Sequence, residues 1–303
     1  MKENPNNDNV ISEQEGMAKL AYHVTLYVDL LGQQRLLRQL QSLPISDEDR
    51  KVTLRTLQRT AGTVRFVRKA FTRFLDNIQQ PTEILNRIPE EARERALRMK
   101  EMKVRKMGFS DTFIIAAELS NDNEPWRPMN GIYAVLLSAA GMFGCALAEG
   151  IPLRGGIEIG LGISLSDDEV YGRGLVLAHD LECSLAEYPR IVVGPELERF
   201  IERVANSTKE DISVQYVRDL GQKCMNIIAH DTDGLTIVDF LGPEMKMIEE
   251  NWRSKIVEPG YRFVTEQQKA AAERGDLKLF ARYSRLRHYY EVRITDWGVV
   301  RRE

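Results

Sequence analysis

The stretch "VTLYVDLLG", residues 24–32, sets a single carboxylate, Asp29, at the end of an otherwise apolar run. β-Branched and aromatic residues closed by Gly32 predict a buried strand over "HVTLYVD", followed by a tight turn. A second carboxylate has a similar setting. "KVRKM", "GFS" and "DTFIIAAEL" read as strand, short turn and strand, a hairpin with Asp111 at its mouth. If a sheet places these strands side by side, both carboxylates reach one edge. Two hard oxygen ligands there suit Mg²⁺ or Mn²⁺, which take one or two carboxylates and complete their shell with water and substrate phosphates. Spacing alone leaves a second reading open: Asp29 caps the turn before Leu31, and Asp111 accepts turn amides from Gly108 or Phe109.

Outward from this pair, residues 1–18 are polar and read as a disordered arm. "QRLLRQLQSL" has helical spacing. Ser46 with Asp47, Glu48 and Asp49 reads as the N-cap and acidic first turn of a long helix reaching about Gln80. Pro81 and Pro89 punctuate, and "EEARERALRMKEM" predicts another helix with a solvated charged face. Downstream come an apolar helix at about 130–149, a strand in "IPLRGGIEIGLGI", a polar turn in "SLSDDE", an amphipathic helix in "GLVLAHDLECSLAEY", a short strand in "RIVVG" and a helix opened by Pro195. This order predicts an α+β fold, helices packed on a mixed sheet, over residues 19–207. Residues 208–303 read as a C-terminal α/β extension: strands in "ISVQYVRDL" and "LTIVDFLG", then helices at about 243–274 and 276–290. Tyr283, Tyr289, Tyr290 and Trp297 are expected to pack that extension onto the core.

Bulk properties exclude several classes. The formal charge of −3, from 42 basic and 45 acidic side chains, gives no positive field for a phosphate backbone, so no nucleic-acid partner is expected. Cys145, Cys183 and Cys224 are widely spaced and odd in number, which argues for a reducing, cytoplasmic setting. No signal peptide is evident, and the longest apolar stretch, "GIYAVLLSAAGMFGCALA", is interrupted by glycines, so no membrane partner is expected. No His or Cys cluster with zinc spacing, no GxSxG elbow and no GxGxxG loop is apparent.

Four stretches, in order, resemble the class III nucleotidyl cyclases: "VTLYVDLLG" their first metal strand, "GFSDTFIIAAE" their second metal hairpin, "LRGGIEIGLG" the following strand, and "VYGRGLVLAHDLE" ahead of "YPRIVVG" the helix beyond. "FSD", "RGGI" and the C-terminal "KLFARYSRLRHYYE" are similar to the bacterial pyrimidine cyclases of Pycsar antiphage systems. The resemblance implies a homodimer with active sites at the subunit interface. It also implies Mg²⁺ or Mn²⁺ held by Asp29, Asp111 and the carbonyl of Leu30, and cyclisation of UTP or CTP. Arg154 and Arg173, each beside glycines, are candidates to stabilise phosphate charge; a surface or dimer salt bridge is the competing reading for both. Arg190 is expected to tie helix to strand, and His179 to pack at an interface.

The departures matter too. Met107 stands where purine cyclases of this family carry a base-reading Lys, and Val176 and Asp180 stand where they carry an Asn and an Arg that steady the transition state. Purine substrates are therefore disfavoured. Arg173, a donor where those enzymes place their second base reader, favours the O4 of uracil over the amino group of cytosine. The expectation is a uridylate cyclase making 3′,5′-cyclic UMP for antiviral defence. The alternatives are cyclic CMP synthesis and a catalytically silent nucleotide-binding module.

Overall fold

The computed structural model describes residues 20–40, 43–79, 102–119, 127–166, 169–208, 212–248 and 251–299. The expected arm at 1–18, the two prolines and the charged helix at about 90–102 fall wholly or almost wholly outside these residues. The first strand, β1 (Leu20–Leu30), is longer than the sequence pattern indicates and lies inside the sheet. It leads into a short helix α1 (Gln33–Arg38) and a long helix α2 (Asp47–Gln79). Ser46 caps α2 reciprocally: its hydroxyl accepts from the Asp49 N–H at 3.0 Å, and the Asp49 carboxylate accepts from the Ser46 hydroxyl at 2.6 Å.

The hairpin β2 (Val104–Phe109) and β3 (Thr112–Glu118) follows, then α3 (Arg127–Ala148), β4 (Leu153–Ser166), β5 (Glu169–Gly172) and α4 (Arg173–Asp180), which passes into a π-helical turn, Leu181–Leu185. Next are β6 (Ile191–Val193), α5 (Pro195–Ala205), α6 (Ile212–Met225), β7 (Ile228–His230), β8 (Thr236–Val238), α7 (Pro243–Ile248), a π-helical turn at Arg253–Val257, α8 (Glu258–Glu273) and α9 (Leu277–Arg293). Among the described residues the sheet runs β2-β3-β1-β4-β6-β8-β7, with β5 paired onto β4. The β4–β6 pair is parallel and the other pairs are antiparallel. The α+β mixed sheet expected from the sequence is therefore present, and the strands beyond residue 208 continue the same sheet.

Strand alternation divides β1 into two faces. Val24, Leu26, Val28 and Leu30 join one core with Val67, Phe71 and Phe74 of α2 and Ile132, Leu136 and Phe143 of α3. The Met129–Ala148 stretch of α3 is long and apolar enough to cross a membrane, yet 83% of its apolar window is buried in the fold. Its apolar surface is thus largely satisfied within the chain. On the other face of β1 lie Ala21, His23, Thr25, Tyr27 and Asp29.

Beyond residue 208 the sequence reading needs correction. "ISVQYVRDL" is not a strand but the body of α6. Its apolar residues suit either period locally, and the helix wins because it turns Val217, Leu220 and Cys224 together toward the core. The strand expected in "LTIVDFLG" shrinks to three residues because Asp239 leaves the sheet to receive the C-terminal helix: Tyr289 donates to Asp239 Oδ1 at 2.6 Å and accepts from Leu241 N–H at 3.0 Å. The helix expected over 243–274 is divided by the π-helical turn. Part of the "SLSDDE" turn belongs to β4, with β5 an unexpected strand beyond it. Tyr283, Tyr289, Tyr290 and Trp297 are buried, as the aromatic tail led one to expect.

Candidate functional site

Asp29 pairs with Thr112 on β3 and with Arg154 on β4, so all three side chains rise from one face of the sheet. Asp111 precedes Thr112 in the hairpin turn, and its carbonyl accepts the Leu30 N–H at 3.3 Å. The two aspartates are thereby brought to one end of adjacent strands. The turn that aims Asp111 is strained: Ser110 has φ 55°, a left-handed backbone that L-residues rarely adopt. Behind it, Arg68 of α2 donates to the Thr112 carbonyl at 3.2 Å and lies over the Phe113 ring. Any side chain at Gly108 would collide with the Arg68 guanidinium. Arg68 thus holds the hairpin from the core side, a contact for which the sequence carries no local signal.

The third carboxylate also escaped the sequence reading. Glu182, in the π-helical turn, is buried and makes an ion pair with Arg154 Nη2 at 2.8 Å; the same nitrogen stands 3.9 Å from Asp29 Oδ2. One arginine faces two carboxylates, with Asp111 close by. Burial first, then Glu182 and Asp111, push the Asp29 carboxyl up to about 6, against the opposing pull of Arg154. Asp111 is 8% exposed, and its Oδ2 has no hydrogen-bond partner. A buried acceptor without a donor, beside a carboxylate that resists ionisation, is a donor set short of positive charge. Hard oxygens in this state fit Mg²⁺ or Mn²⁺, with Asp29 and Asp111 as the side chains that would hold it. Leu30, whose carbonyl the resemblance names, is buried at the end of β1, next to Asp29 and bonded through its N–H to the Asp111 carbonyl.

The register also builds a surface beside the carboxylates. Asp29, Thr112 and Phe109 form one row across β1, β3 and β2, and Tyr27, Ile114 and Met107 form the next. Phe109 is 84% exposed, and Tyr27, Ile114 and Met107 are half-buried, so an apolar platform adjoins the acidic end. His179 sets its ring edge-on to Tyr27, with centroids 5.0 Å apart.

Arg173 is not brought to this end. It opens α4 beside Gly160, and Gly160 pairs with His23, six residues along β1 from Asp29, about 20 Å at the rise of a strand. Glycines of the "LRGGIEIGLG" strand instead admit α4: a Cβ at Gly160 would stand 2.5 Å from Gly174 N. Val176 and Asp180 are exposed on α4. Arg190 does tie elements together: it donates to Leu185 O at 2.8 Å and pairs with Asp231 and Asp233 in the turn between β7 and β8.

No protein-family model matches the chain, and no curated protein does. Among solved structures, the chain is similar to a class III adenylyl cyclase-like ATP-binding protein from Pseudomonas aeruginosa, at a TM-score of 0.40 and 15% identity. The match covers 68% of this chain and 41% of that one, so the chain spans less than half of the neighbour's length.

Proposed function

We propose that the chain is a nucleotidyl cyclase that converts UTP to 3′,5′-cyclic UMP and pyrophosphate, working as a homodimer in an antiphage response of the Pycsar kind. The observation that carries this reading is the convergence of Asp29 and Asp111 at one sheet end, with an unpartnered buried oxygen on one and a raised pKa on the other. Asp29, Asp111 and the Leu30 carbonyl would hold Mg²⁺ or Mn²⁺, which supplies Lewis-acid polarisation of phosphate and ribose oxygens when bound. In the overall change the ribose 3′-hydroxyl gives up its proton to water as its oxygen bonds to the α-phosphorus, the bond from that phosphorus to the bridging oxygen breaks, and pyrophosphate leaves. Arg154 stands beside Asp29 to meet charge on the α-phosphate, and the Tyr27–Ile114–Met107 row offers an apolar bed for the pyrimidine. Arg173 is placed too far from the carboxylates of its own chain to read that base, so its role requires the second copy. Exposed Val176, on α4 itself, supports such a two-fold contact.

A second reading, nucleotide binding without turnover, is favoured by one observation: Arg154 is engaged with Glu182 at 2.8 Å, and so is not free for substrate as it stands. Incubation with each of the four nucleoside triphosphates and Mn²⁺, with products separated by mass, distinguishes the readings. Cyclic UMP in excess over cyclic CMP from an equal mixture is the expected result. An excess of cyclic CMP reassigns the base, and binding without product supports the silent module. Light scattering of the active protein checks the dimer.

A further inference from the structure

A carboxylate, an imidazole and a thiol gather at the C-terminal end of α4, separately from the Asp29–Asp111 pair. His179, Asp180 and Cys183 each offer a donor atom, and these atoms all lie within 4.8 Å of one another. His179 Nδ1 stands 3.6 Å from Asp180 Oδ1. Two ligands on one tetrahedral Zn²⁺, with bonds of about 2.0–2.1 Å, are about 3.4 Å apart, so this pair needs to close by only a few tenths of an ångström. The sequence reading saw no zinc spacing in "HDLEC". In a helix, however, positions i and i+4 share a face, and the π-helical turn starting at Leu181 carries Cys183 back over Asp180, with Sγ 3.8 Å from the Asp180 carbonyl.

The donor chemistry selects the ion. A thiolate, an imidazole and one carboxylate suit a borderline metal such as Zn²⁺ or Co²⁺, whereas Mg²⁺ and Mn²⁺ favour oxygen alone. The Tyr27 ring at 5.0 Å limits the orientations of the His179 imidazole before any ion arrives. In the single chain all three residues are exposed, so an ion has access and water can take a fourth position. Cys224, by contrast, is fully buried and burial holds its thiol far above the ordinary range, so it cannot act as a competing thiolate.

We propose that His179, Asp180 and Cys183 form a zinc site distinct from the Asp29–Asp111 site. It does not depend on the cyclase reading. An ion there anchors the turn next to Glu182, the partner of Arg154.

The test uses the full chain, stripped with a chelator and titrated with Co²⁺. Expected is a thiolate-to-cobalt charge-transfer absorption that saturates at one equivalent, is displaced by Zn²⁺, and is absent in Cys183→Ser. His179→Ala and Asp180→Asn should weaken Co²⁺ binding about tenfold or more each, the loss of roughly one ligand's contribution, while Asp29→Asn leaves the band unchanged. Circular dichroism confirms that each variant is folded, as expected for exposed positions, and Zn²⁺ should slow alkylation of Cys183 in the unaltered protein. Absence of the charge-transfer band from the unaltered protein, or its survival in folded Cys183→Ser, overturns the proposal.

Discussion

Two arginines on neighbouring strands meet opposite fates. Arg154 at the start of β4 and Arg190 just before β6 are joined through the backbone, where the Gly155 N–H donates to the Arg190 carbonyl at 3.0 Å. Arg190 is 3% exposed, bonds Asp231 at 2.5 Å and Asp233 at 2.7 Å, and lies over the ring of Tyr188, which itself donates to Asp231. Its hydrogen bond is the main reason why the Asp233 carboxyl lies below its usual range. Arg154 instead divides one guanidinium among carboxylates that still lack enough positive charge, and Asp29 is pushed the other way, up to about 6. The two clusters use the same residue types. The cluster whose charges are paired fastens the fold; the one short of positive charge suits a cation.

The widest test of that contrast is catalytic. Asp29→Ala and Asp111→Ala should each lower cyclic nucleotide formation about a thousandfold or more, the several kcal/mol a positioned metal contributes, while light scattering shows an unchanged assembly. Turnover within about tenfold of the unaltered protein would remove the two-carboxylate metal site. The Arg190 cluster should respond in stability instead. Arg190→Ala leaves Asp231 buried without its cation and should cost about 3–5 kcal/mol, read from urea unfolding; a cost under about 1 kcal/mol would erase the distinction between the clusters.

Asp29→Asn should move stability in the other direction. A carboxyl whose folded pKa lies above its unfolded value of 3.8 favours folding most below that value, and the contribution is lost as pH rises through about 6. The metal-free Asn variant, which cannot ionise, should therefore be more stable than the parent by about 2 kcal/mol at pH 7–8, with the gap closing toward pH 4. Mn²⁺ should raise the melting temperature of the parent and not of the variant. A variant less stable than the parent at pH 8 would show that the acidic end is already satisfied. The smallest effect belongs to Ser110→Gly, which relieves the left-handed backbone of the hairpin and should stabilise by about 1 kcal/mol in the same assay.

How much of this was legible depended on the range of the interaction. Asp29 and Asp111 could be paired from sequence because each ends a strand whose period is local, and adjacency of the strands did the rest. Glu182 and Arg68 could not: one arrives on a π-helical turn and the other from a long helix on the opposite face, and neither spacing announces its target. Beyond residue 208, "ISVQYVRDL" was misread because its β-branched and aromatic residues carry a strand-like local preference that packing of Leu220 and Cys224 overrides. Arg173 shows the converse. Its glycine neighbours serve packing instead: a Cβ at Gly172 would stand 2.3 Å from the Gly162 Cα of β4.

A similar close approach occurs at Gly156, on the strand directly beneath the end of α4. A Cβ there would lie 2.6 Å from the Leu181 Cβ and 2.9 Å from the Glu182 N. The gap separating Glu182 from Arg154 and Asp29 is therefore fixed by how thin the strand is below the turn. One methyl group at residue 156, touching no charge and no substrate, would lift Glu182 away from its neighbours and retune the titration of Asp29. The electrostatics of this corner is calibrated by a hydrogen atom standing where every other amino acid has carbon.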